Sequence, residues 1–145
     1  MSFIDALSIS STGLSAQRLR MNLISGNLAN VHTTRTEKGG PYQRREAVFA
    51  AKPLNTDFNQ VLASHLDPKL AKVEVVQVVE DPRPPILKYD PDHPDANAEG
   101  YVALPNIQVL EEMVNMMAAS RSYEANVAAV KATKAMVLRA LEIGR

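Results

Sequence analysis

The sequence has no cysteine and no tryptophan, and its aromatic residues amount to three phenylalanines and four tyrosines in 145 positions. Without cysteine there is no disulfide framework and no thiolate chemistry. The thin aromatic inventory leaves alanine and methionine to fill whatever core the chain builds. Net charge is also missing. Sixteen basic and sixteen acidic residues cancel, so no overall field steers the protein towards nucleic acid or an anionic membrane. No apolar run approaches the eighteen or so residues of a membrane span, and the amino terminus has no basic region followed by an apolar core. Export by the Sec route is therefore not expected.

Catalytic and ligand-binding patterns are lacking too. His32, His65 and His93 are scattered without metal-ligand spacing. Asp90, Asp92, Asp95 and Glu99 resemble a calcium loop only superficially, because Pro91, Pro94 and a sixth position without glycine spoil the EF-hand spacing. Gly39-Gly40 is followed by Pro41 and not by a helix start, so it is a turn and not a phosphate cradle. The expectation is a protein that is not an enzyme, with no metal, no cofactor, no small-molecule substrate and no nucleic-acid partner.

What the chain does have is a long stretch with no glycine or proline, Ile107 to Ile143. Asn106 is placed to cap its start, Glu111 and Glu112 suit the positive end of the helix dipole, and Lys131, Lys134 and Arg139 suit the negative end. Gly144 is a stop signal. Steps of four and three from Val109 give Met113, Met116, Ser120, Tyr123, Val127, Val130, Lys134, Val137 and Leu141, an apolar seam broken only by Ser120 and Lys134. Such a helix is roughly 55 Å long and needs a partner helix along most of its length. One helix of an ordinary bundle and an oligomeric coiled coil both fit this periodicity.

Residues 1–30 are the second helical candidate. Ser2 and Asp5 resemble a capping box, and Leu7, Leu14, Met21 and Leu28 recur in sevens with Phe3 and Ile24 flanking. Ser10 and Gln17 interrupt this stripe, and Gly13 with its neighbouring serines predicts a kink or a break. All nine prolines fall between Pro41 and Pro105, so the middle is a different kind of structure. Gln43 to Ala51 and Lys72 to Val79 read as strands, Asp57 to His65 as a short helix, and Ile86 to Tyr89 as a short antiparallel return. Tyr89 to Asn106 reads as a rigid, turn-rich connector. Residues 35–52 hold five basic and two acidic side chains, and residues 74–99 seven acidic and two basic. These are either two solvated loops or complementary faces that meet on neighbouring subunits.

Three segments carry a resemblance. LANVHTTRT at 28–36, after SSTGLSAQRLRMNLISGN, is similar to the amino-terminal signature of the flagellar rod and hook protein family. EEMVNMMAASRSYEANVAAVKATKAMVLRALEIG at 111–144 resembles that family's carboxy-terminal signature. The loop HPDANAEGYVALPN at 93–106 narrows the likeness to the short proximal rod members. The matching residues are Leu28, Ala29 and Asn30, then Glu112, Met113, Ser120, Arg121, Tyr123, Glu124, Ala125 and Asn126. The segment after Asn30 lacks the Gly-Tyr that follows in the longer members.

The resemblance implies an α+β fold. Long N- and C-terminal helices, segments 1–34 and 106–145, pair as a coiled-coil inner layer, and a small β-rich domain at 35–105 lies outside it. The implied interface residues are those of the two stripes: Leu7, Leu14, Met21, Ile24, Leu28, Val109, Met113, Met116, Tyr123, Val127, Val130, Val137 and Leu141. The implied function is a structural subunit of the proximal rod of the bacterial flagellar basal body, a helical drive shaft that transmits torque. Implied partners are further copies of the chain, other proximal and distal rod proteins, the MS-ring and export-gate adaptor region, and the flagellar type III export apparatus. That route places the chain in a rod spanning the periplasm without a cleaved signal peptide. Another short rod subunit of the same family, or a freestanding coiled-coil adaptor, are the alternatives.

Overall fold

The fold is described by a computed structural model over residues 3–54 and 70–143. Helix α1 (Phe3–Ala29) and helix α2 (Val109–Ile143) bracket strands β1 (Arg45–Pro53), β2 (Ala71–Glu80), β3 (Ile86–Tyr89) and β4 (Tyr101–Leu104). The architecture is α+β, two long terminal helices and a small antiparallel middle.

The helices pack on each other, and the β1–β2 ribbon leans on α1. Two contacts show their register. Asn27 donates from Nδ2 to Glu112 Oε2 at 3.0 Å, and Gly13 sits so close to Asn126 that a Cβ there would lie 3.1 Å from its Nδ2. Going back two heptads on α1 therefore goes forward two heptads on α2. The pair is antiparallel and keeps step in sevens, as coiled coils do. Phe3 comes level with Met136, and the last two turns of α2 run past the start of α1.

The weak propensity around Gly13 does not break α1, which is continuous. The same residues serve packing instead. Thr12 Oγ1 donates to the Ile9 carbonyl at 2.8 Å and accepts from the Val73 N–H of β2 at 3.3 Å, while Gly13 is buried where α2 approaches. Ser2 of the expected capping box, the expected helix Asp57 to His65 and the Gly144 stop lie outside the described residues.

Helix α2 starts two residues later than its sequence suggests. The Ile107 N–H bonds to the Pro105 carbonyl at 2.9 Å in a tight turn, and the Ile107 side chain is buried. Asn106 does not cap the helix; its side chain donates to the Pro84 carbonyl at 3.3 Å. The helix's first bond runs from the Glu112 N–H to the Gln108 carbonyl at 3.0 Å.

Strands β1 and β2 pair from Arg45↔Glu80 to Pro53↔Ala71, with a bulge between Val48 and Phe49. The ribbon also accounts for part of the charge separation. Lys52 meets Glu74 at 3.1 Å, Arg45 meets Glu80 at 3.2 Å, and Lys38 lies 3.6 Å from Glu80. These opposite charges are matched inside one chain and are not reserved for neighbouring subunits.

Strand β3 does not return to β2. It pairs with β4, from Ile86↔Leu104 to Tyr89↔Tyr101, a strand hidden in the stretch expected to be a connector. Asn97 closes the hairpin by accepting at Oδ1 from the N–H groups of Glu99 (3.0 Å) and Tyr101 (2.8 Å). Gly100 has φ +83°, and a Cβ there would come within 2.9 Å of the Tyr89 ring. The Tyr89 and Tyr101 rings meet edge to face at 5.3 Å.

Candidate functional site

The site is the helix pair itself, and its buried polar residues form a junction where α1 ends and α2 begins. Asn27 and Glu112 are the largest fully buried side chains among the described residues. A buried carboxylate is costly unless paired and hydrogen-bonded. Here Arg44 supplies both needs, donating from Nε at 2.9 Å and approaching through its second terminal nitrogen at 2.8 Å, both to Glu112 Oε1. Its remaining terminal nitrogen reaches Glu46 at 2.9 Å. Burial works against the Arg44 charge, but the hydrogen bonds to Glu46 and Glu112 outweigh it and hold the guanidinium above its ordinary pKa.

Asn27 does the rest of the joining. Its carboxamide pairs with the Arg45 backbone as a strand would, accepting the Arg45 N–H at 2.9 Å and donating to the Arg45 carbonyl at 3.0 Å. Tyr42 donates its hydroxyl to the same Asn27 oxygen at 3.1 Å, and the Arg45 guanidinium lies 5.8 Å over the Tyr42 ring. Burial is the main influence on the Tyr42 phenol and pushes its pKa up, against the nearby Arg45 charge. Helix α1, helix α2 and the start of β1 thus meet at one fully satisfied cluster. Asn30 finishes α1 beside it, donating to the Gly26 carbonyl at 2.9 Å and accepting from Thr33 at 3.1 Å.

Along the rest of the pair, the half-buried and buried positions of α2 include Glu112, Met116, Ala119, Tyr123, Asn126, Val130, Thr133 and Val137. This stripe steps by four and three. It shares Met116, Tyr123, Val130 and Val137 with the stripe drawn from Val109, but at alternate steps it falls one residue earlier. Helix α1 shows the same offset. Gly13, Ile24 and Asn27 are buried, and Leu7, Leu14, Met21 and Leu28 are only half-buried. The shift has a physical cause: Gly13 leaves room for the Asn126 side chain, Ala119 is small enough to be fully buried, and the Arg44 partner lets Glu112 go inside. Hydrophobicity alone selects the larger neighbours.

The displaced residues are therefore uncovered within the chain. Val109, Met113 and Leu141 are exposed, and Val127 and Ser120 lie half-buried on the flank. Of the signature residues, Ala29, Arg121, Glu124 and Ala125 are exposed as well. Leu110, Met113, Val114 and Met117 form an outward stripe, 77%, 52%, 53% and 57% exposed. Met136, Leu138, Leu141 and Ile143 are exposed at the other end of α2. Asn27, Tyr42 and Arg44 were not singled out in the sequence; the available signal was Glu112 falling in step with the heptads and Asn27 standing two heptads after Gly13.

A cleft of about 510 Å³ lies beside the junction, between residues 36–45 and 80–85. Within it Arg83 holds Asp81 at 2.6 Å, and that hydrogen bonding keeps the Asp81 carboxyl below its usual range. Among the described residues, no group of three His, Cys, Asp or Glu is placed to hold a metal, and no helix is long and apolar enough to cross a membrane.

Comparison with known proteins agrees at both ends of the chain. A profile described as flagellar basal body rod FlgEFG protein C-terminal matches residues 98–143, and one described as flagella basal body rod protein matches residues 7–35. The chain is 43% identical to the flagellar basal-body rod protein FlgC of Borreliella burgdorferi, covering 99% of this chain and 98% of that one. It is 42% identical to FlgC of Bacillus subtilis over the whole of both chains, and 36% identical to FlgC of Yersinia enterocolitica, again over both in full. Similarity of this degree along the entire length, with the helix pair falling on the two matched segments, means that the chain belongs to the FlgC family of flagellar basal-body rod proteins.

Proposed function

We propose that this chain is a structural, non-catalytic subunit of the proximal flagellar rod, which assembles with further copies and with other rod components into a helical drive shaft. The observation that carries the proposal is the outward stripe of α2. Four large apolar side chains at i, i+3, i+4 and i+7 stand in solvent on a helix whose other face is already packed on α1. Covering each is worth about 1.5–3 kcal/mol, and head-to-tail contacts of that kind that do not close on themselves build a filament. The interface includes the stripe residues that the chain leaves exposed or half-exposed, Leu7, Leu14, Met21 and Leu28 on α1 and Val109, Met113, Val127 and Leu141 on α2, and residues 35–105 lie on the outside of the tube.

The finer setting belongs to the same proposal and is supported by the resemblance of the terminal segments. The rod spans the periplasm, its proximal end meets the MS-ring and export-gate region, and the subunit travels through the type III apparatus without a cleaved signal peptide.

Val114→Asp tests the assembly reading, because Val114 is exposed in the monomer and a charge there leaves the chain's own seam alone. The purified variant is expected to keep the helix content and melting temperature of the original, to be exported, and to give cells without complete rods or motility. Lys131→Asp, on the exposed far half of α2, is the mild control. Equal motility of the two variants would refute the stripe as an interface.

A further inference from the structure

We infer that the Asn27–Arg44–Glu112 junction is a register lock, which selects one of two heptad alignments of the helix pair that apolar packing leaves nearly equivalent. Helix α1 has 27 residues and α2 has 35. All of α1 is covered in the observed alignment, where Phe3 is level with Met136. It is also covered if α2 slips by one heptad, with Phe3 level with Ile143 and Ile9 with Val137. The slip keeps every seam position a seam position, because both helices repeat in sevens. It exchanges Met116 for Tyr123 and Val130 for Val137, and sets Gly13 against Thr133 where Asn126 now lies. Neither overlap nor pattern therefore decides.

The junction decides, because it exists in one alignment only. After the slip Asn27 faces Ala119, and Glu112 lies beyond the end of α1, away from the Asn27 amide it now binds at 3.0 Å. Arg44 precedes Arg45, whose backbone Asn27 of α1 holds at both its N–H and its carbonyl, so it cannot follow Glu112 along the slip. Buried polar groups left without partners are penalised far more than neutral packing changes, which is how a single polar position sets register in coiled coils. The lock also ties the β region to the helices: the correct alignment requires residues 42–46 to be in place.

The chain has no cysteine, so two introduced thiols report register without interference. Ile9→Cys with Val130→Cys reads the observed alignment, and Ile9→Cys with Val137→Cys reads the slipped one. A heptad is about 10 Å of helix, beyond the reach of a short thiol cross-linker. In the otherwise unchanged full-length chain the first pair is expected to cross-link at least tenfold faster than the second. With Arg44→Met and Glu112→Leu added, which removes both charges together, the two rates are expected to come within about threefold at unchanged helix content. If the first pair keeps its tenfold advantage in that background, the inference is overturned. Should the double variant not fold, Asn27→Ala with Glu112→Ala, which removes the helix-to-helix bond and the ion pair together and leaves smaller side chains, puts the same question to the same reporters, and an exclusive product at 9 and 130 there overturns it equally. None of these readouts involves rod assembly.

Discussion

Gly13 is the point where the helix pair can be tested most directly. A glycine inside a helix costs about 1 kcal/mol relative to alanine, so α1 gives up stability to keep it. The geometry explains the sacrifice: a Cβ at Gly13 would sit 3.1 Å from Asn126 Nδ2 and 3.3 Å from its Oδ1. Gly13→Ala regains the propensity but pushes Asn126 aside, weakening its 3.0 Å bond to the Ser122 carbonyl, a loss of roughly 0.5–1.5 kcal/mol. The two nearly cancel, and the expected change is within about 1 kcal/mol of zero. Gly13→Leu adds three further carbons with no room for them, and overpacking of that kind costs about 1–3 kcal/mol. For a chain of this size that lowers the melting temperature by roughly 3–9 °C, read by circular dichroism. Asn126→Ala in the Gly13→Leu background opens the space again and should restore about half or more of the loss, a coupling that distant sites do not show. A Gly13→Leu protein that melts with the original, or one that Asn126→Ala does not rescue, would refute the close helix approach.

Gly100→Ala should destabilise the β3–β4 hairpin by about 1–3 kcal/mol, since it meets both a positive φ and the Tyr89 ring; faster amide exchange at residues 86–89 and 101–104 is the readout, and unchanged protection would count against it. Tyr42 has a folded-state pKa raised above 10.0, so its contribution is fully present below pH 10 and is lost as pH rises through the higher folded value. Helix content of the original should accordingly fall more steeply above pH 10 than that of Tyr42→Phe, and parallel curves would show that the phenol proton is not holding Asn27.

Much of the fold is legible in the sequence because its signals are long. Thirty-odd residues without glycine or proline leave little choice but helix, and α1, α2 and β2 lie within two or three residues of where propensity places them. What misleads is the treatment of short polar and small residues. Tyr101–Leu104 is a strand of only four residues, closed by an asparagine turn, and a local pattern that short carries no periodicity. The seam within the chain departs by one residue at alternate steps from the apolar stripe because Gly13 and Ala119 matter through what they lack, and Glu112 through a partner 68 positions away in sequence. Neither a missing side chain nor a distant counter-ion registers in a hydrophobic pattern.

That one-residue offset has a consequence for how the protein works. In an ordinary two-helix hairpin the largest apolar residues face inward, whereas here the α2 seam takes Glu112, Ala119, Asn126 and Thr133 at alternate positions. Leu110, Met113, Val114 and Met117 stay outside. Polar and small residues at alternate seam positions leave alignment to the junction, and the stripe at 110–117 is free for the contacts proposed above. The division suits the assembly proposed above: polar residues at the junction specify the alignment, while the apolar stripe of α2 stays exposed among the described residues.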